Sequence, residues 1–115
     1  MRARDPRAVL TGAVAAAQKV VRFMDDSSLS EYAADEMLRS AVERQFEIVG
    51  EALSRALKAD PGLIGRLPGA PKVIGFRNVL AHGYDVVSHA TVYALAREDL
   101  PGLLERLETA LEEYS

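Results

Sequence analysis

"LRSAVERQFEIVGEAL", residues 38–53, decides the fold. Its polar positions belong to a stripe, Glu36, Ser40, Glu43, Glu47, Glu51, Ser54 and Lys58, that advances by three or four residues throughout. That is the spacing of one face of an α-helix. Beside the stripe run two apolar rows: Leu38, Val42, Phe46, Val49, Leu53 and Leu57, and then Met37, Ala41, Ile48 and Ala52. Such a face is wider than one neighbouring helix needs. Ser28 and Glu31 have the spacing of a capping box, so a single helix is expected from there to about Ala59. At ~1.5 Å per residue it would be on the order of 45 Å long. Its two apolar rows point to burial within the domain and against a second subunit.

Outward from this helix, no stretch alternates at period two for long enough to form a strand. Asp5 and Pro6 suit the start of a first helix with its apolar face at Leu10, Val14, Ala17, Val21 and Met24. "ADPGLIGRLPGAP", residues 59–71, reads as a loop. Pro71 should open a short, mostly buried helix to about Ala81, and Ser88 a fourth. Asp99 and Pro101 should restart a last helix with its face at Leu100, Leu103, Leu104, Leu107, Leu111 and Tyr114. The expectation is one all-α domain over residues 1–115, an up-and-down bundle of about five helices with one long member, and a homodimer.

Composition narrows the function. The chain has 115 residues, 49% hydrophobic and 27% charged, and no cysteine, so disulfides and thiolate metal sites are excluded. The apolar run "VLTGAVAAAQKVV", residues 9–21, is interrupted by Gln18 and Lys19 and is too short for a bilayer. A cytoplasmic protein without membrane contact is expected. Net charge is −3 but unevenly spread. Residues 55–77 carry five basic side chains against one acidic, whereas residues 98–113 carry six acidic against one basic. The basic section leads into "RNVLAHGY", residues 77–84.

In that segment Gly83 fits the left-handed position after a helix, Tyr84 the apolar contact that follows it, packing near Val79, and His82 the favourable charge at a helix C-terminus. Helix termination alone can therefore account for it. Against that, Asn78 and His82 are four apart and share a polar face, and Arg77 precedes them in the same turn. Arg, Asn and His together can face a phosphate: a charged fork, an amide, and a group titrating near neutral pH. The carboxylate row Glu43, Glu47, Glu51 could in principle hold a cation, but Arg39, Arg44 and Arg55 lie close enough to pair with it, so no metal site is expected. His89 stands alone as an exposed residue, and Gly50 suggests a close helix approach.

"RNVLAHGY" resembles the R-x4-H-x-Y signature of the HEPN superfamily, specifically the HepT-type ribonuclease toxins. "LRSAVERQFEIVGEAL" resembles that family's long helix, and "AREDLPGLLERLETAL", residues 96–111, its closing helix. The resemblance implies a metal-independent, homodimeric endoribonuclease of a type VII toxin–antitoxin system, with Arg77 and His82 catalytic and Asn78 supporting. It also implies that Tyr84 is AMPylated by an MntA-type nucleotidyltransferase antitoxin. ATP and Mg²⁺ would serve only that partner; the chain itself would need no cofactor. The alternative is a non-catalytic HEPN module that binds RNA or nucleotide and partners a nucleotidyltransferase. The intact Arg77 and His82 favour the enzyme.

Overall fold

The computed structural model describes residues 5–82 and 88–114, with the side chains of Ala81 and His82 also outside the described set. Among the described residues every regular element is helical: α1 Pro6–Met24, α2 Leu29–Ala34, α3 Glu36–Ala59, a 3-10 turn Pro61–Gly65, α4 Ala70–His82, α5 His89–Ala94, a π-helical turn Leu95–Asp99, and α6 Leu100–Glu112. Backbone dihedrals stay helical from α5 through the π turn into α6. These three form one continuous helix, so the described residues make a bundle of five. Long α3 packs against both α1 and α4, and α6 packs against α1. No described helix is long and apolar enough to cross a membrane.

Each start has a local cause. Asp5 accepts a hydrogen bond from the Arg7 N–H at 3.0 Å, with Pro6 at the first helical position. Ser28 and Glu31 do form a capping box, but it opens only the six-residue α2. Asp35 then leaves helical geometry (φ −107°, ψ 95°), and its carboxylate accepts from the Leu38 N–H at 3.0 Å. The expected single helix is therefore two, because an aspartate offers the backbone a second cap. At ~1.5 Å per residue the 24 residues of α3 measure about 36 Å.

The second correction lies at the other end of the chain. Asp99 makes no capping bond, and no new helix begins there. Its carboxylate instead receives Lys72 Nζ of α4 at 3.1 Å. The helix meets Pro101, which lacks an N–H and crowds the preceding turn, by widening to a π turn just before it. That turn carries Arg97, whose guanidinium donates to the Asp25 and Ser27 carbonyls at 2.7 and 2.5 Å. Tyr93 Oη also donates to Ser27 O, at 2.8 Å. These bonds hold the α1–α2 corner, where Asp25 takes a positive φ of 44°.

Leu10, Ala13, Val20, Val42, Phe46, Val49, Leu53, Leu63, Leu67, Leu100 and Leu107 meet in one core. On α1 the buried row passes through Val20, leaving Val21 39% exposed. The width of α3 has a simple explanation: it packs on α1 and on α4 of the same chain. Met37, from its second apolar row, is 82% exposed. Among the described side chains of α4, Ala70 and Val73 are fully buried; Ile74, Phe76 and Leu80 are partly covered and Val79 is 45% exposed. Expected as a core helix, α4 is a surface helix, so polar groups on it need no buried partner.

Candidate active site

The site forms where α4 crosses α3. Two contacts fix the crossing. Phe46 of α3, fully buried, meets Phe76 of α4 edge-on, ring centroids 5.5 Å apart, an arrangement worth about 0.5–1.5 kcal/mol beyond burial. One turn further along α3, Gly50 faces Arg77. A Cβ on Gly50 would lie 2.4 Å from Arg77 Cβ and 2.8 Å from its Cγ. Only a glycine lets the arginine stem lie flat on α3.

The guanidinium then reaches two partners. Arg77 Nη2 donates to Glu51 Oε1 at 2.7 Å, and Nη1 to the Asn78 side-chain oxygen at 3.0 Å. Glu51 is shared: its Oε2 accepts from Arg55 Nε at 2.9 Å. Arg77 is one-third exposed and Glu51 40% exposed, so the assembly is open to a ligand. Arg44 pairs with Glu47 at 3.4 Å. Two members of the glutamate row, Glu47 and Glu51, are thus paired with arginines. Arg44, Glu51, Arg55 and Arg77 border an open groove of about 520 Å³ between α1 and α3.

Of the residues singled out by sequence, Arg77 and Asn78 are joined by a hydrogen bond. His82 ends α4, five positions after Arg77 and four after Asn78; its side chain, Gly83 and Tyr84 lie outside the described residues. His89 is half-buried as the first residue of α5, where Ser88 caps Thr91 at 3.3 Å. Sequence reasoning missed Glu51 as the partner of Arg77, 26 positions away. The adjacent Gly50 was the available signal: it announced a close approach without naming the residue that approaches.

Gly50→Ala should therefore destabilise the protein. Alanine normally gains about 1 kcal/mol over glycine inside a helix, but here the overlap with Arg77 adds an overpacking cost of about 1–3 kcal/mol. Gly12, in α1, would place its Cβ with nothing within 4 Å. Urea unfolding should show Gly12→Ala at or above wild-type stability and Gly50→Ala below it. Equal stabilisation by both would mean that the α3–α4 crossing is looser than described.

Comparison with known proteins gives a consistent answer. Residues 14–110 match the family model "Ribonuclease HepT-like". The chain is similar to three proteins of Methanocaldococcus jannaschii. "Putative RNase MJ1380" is 32% identical over 110 residues, covering 94% of this chain and 98% of that protein. "Putative RNase MJ0125" is 25% identical over 112 residues, covering 96% and 94%, and "Putative RNase MJ1216" is 24% identical over 112 residues, covering 96% and 90%. No solved structure matches the chain.

Proposed function

Because the chain belongs to the HepT-like ribonuclease family, we propose that it is a metal-independent endoribonuclease, the toxin of a type VII toxin–antitoxin pair. The observation that carries this reading is Arg77, seated by Glu51 and Asn78 at the mouth of an open groove, one helical turn and a residue before His82.

RNA brings its own nucleophile, the 2′-OH, so the enzyme has to move protons and stabilise charge at phosphorus. In this reading His82 takes the 2′-OH proton as oxygen attacks phosphorus. Among the described residues, two of the five N–H donors of Arg77 are engaged, and others are available for the phosphate. The bond to the 5′ oxygen breaks, and that oxygen needs a proton. His82 of the partner subunit would supply it if the two α4 helices meet across a cleft. Support for such pairing is the apolar set on α4, the partly covered Ile74, Phe76 and Leu80 with the exposed Val79.

Light scattering at micromolar concentration should accordingly give a mass near twice the 12.5 kDa of one chain. A value near 12.5 kDa would remove the composite site.

Control would come from a cognate MntA-type nucleotidyltransferase. The Tyr84 phenol oxygen takes AMP from ATP with release of pyrophosphate, and the added phosphate brings negative charge close to His82 and Arg77. RNA is then excluded by bulk and by charge.

A further inference from the structure

We propose that the groove between α1 and α3 is a subsite for the RNA strand, taking the nucleotide next to the scissile phosphate, with Arg55 as its phosphate contact. This rests on the ribonuclease reading of Arg77. Arg44, Ile48, Glu51 and Arg55 succeed one another at steps of four, three and four, so α3 presents them as one wall. Arg77 closes the groove at one side, making it continuous with the candidate active site.

Three features fit an RNA strand in particular. The volume of about 520 Å³ falls within the ~300–1,000 Å³ of small-ligand sites. The groove combines arginines with an apolar side at Val9, Ile48 and Ala52, matching a nucleotide with its charged phosphate and flat base. Its α1 side is open at Gly12, where a side chain would meet nothing within 4 Å.

The shared carboxylate gives the subsite its link to Arg77. Glu51 holds both Arg55 and Arg77, one on each oxygen, so one negative charge is spread over two guanidiniums and the trio remains net positive. Arg55 is 46% exposed and can grip a phosphate through its terminal nitrogens while Nε stays on Glu51. The far end of α1 has the opposite character. There Asp25, Asp26, Glu31, Asp35 and Glu36 border an acidic depression, which repels a polyanion. A strand leaving Arg77 is therefore favoured along the groove and disfavoured at that corner.

The test uses the full chain and a fluorescent 2′-O-methyl oligoribonucleotide, which lacks the nucleophile, read by anisotropy over a salt series. Gly12→Leu fills the open side and Arg55→Gln leaves a shorter, uncharged polar side chain; both should melt close to wild type. Each should weaken binding by about tenfold, the scale of a lost charge-assisted contact, and Arg55→Gln should also lower the salt slope by about one. In cleavage assays the loss should fall mainly on KM. Wild-type affinity in both variants overturns the subsite, as does an effect of Arg55→Gln with Gly12→Leu silent, since the strand would then not cross the groove. RNA cleavage by wild type alongside either result leaves the ribonuclease reading standing. Binding that both variants weaken, without any cleavage by wild type, supports the subsite and sinks the ribonuclease; no binding at all sinks the subsite.

Discussion

His82→Ala should lower the rate of RNA cleavage by about 10²–10⁴, the range for removing a general acid–base group. His82 is the last residue of α4, nine positions beyond Val73, the last fully buried residue described on that helix. The variant should therefore fold and unfold like wild type. Arg77→Lys is an independent arm of the same expectation. Lysine keeps the charge but loses the planar fork that holds Glu51 and Asn78 and, in the proposed mechanism, the phosphate, so activity should fall although net charge is unchanged. Both should leave RNA binding measurable. A folded His82→Ala protein that cuts RNA at the wild-type rate would show that the catalytic assignment is wrong.

The second large effect concerns regulation rather than rate. Tyr84→Phe should fold, dimerise and cleave RNA, because the proposed proton transfer does not use the phenol hydroxyl. It should nevertheless escape neutralisation by the cognate nucleotidyltransferase and ATP. After that reaction, mass spectrometry of wild type should show added AMP on the peptide containing Tyr84, and the Phe variant should show none. A purely terminating role, with the ring packed near Val79, would make Tyr84→Phe silent in every assay. AMP on another residue, or on none with an active partner enzyme, would overturn the regulatory half and leave the nuclease half intact.

Much of the fold could be read from periodicity because helices announce themselves locally. The stripe from Glu36 to Lys58, the caps at Asp5 and Ser88, and the buried leucines 100, 103 and 107 all depend on neighbours within a turn. The errors arose where two local signals competed. Ser28 and Asp35 are both good caps, and spacing alone does not say that the second interrupts what the first began. At Asp99 and Pro101 the spacing suggests a restart, but α5, packed on α2, and α6, packed on α1, stay continuous through a π turn.

The site was legible only in part for a different reason. Arg77, Asn78 and His82 are close in sequence, so their spacing carries the signal. Glu51 joins them only because α4 crosses α3 over Gly50, a fact of tertiary geometry. Read locally, Glu51 was the i, i+4 partner of Arg55, and it is; its second oxygen holds the bond to Arg77.

The most direct measurement is incubation of the purified chain with RNA in EDTA, followed by analysis of the cut ends. Attack by the 2′-OH predicts cleavage undiminished by the chelator, a 2′,3′-cyclic phosphate on one product and a 5′-OH on the other, and no cutting of 2′-O-methyl RNA. RNA left intact by the purified chain, or cut only when a divalent metal is restored, would contradict the account.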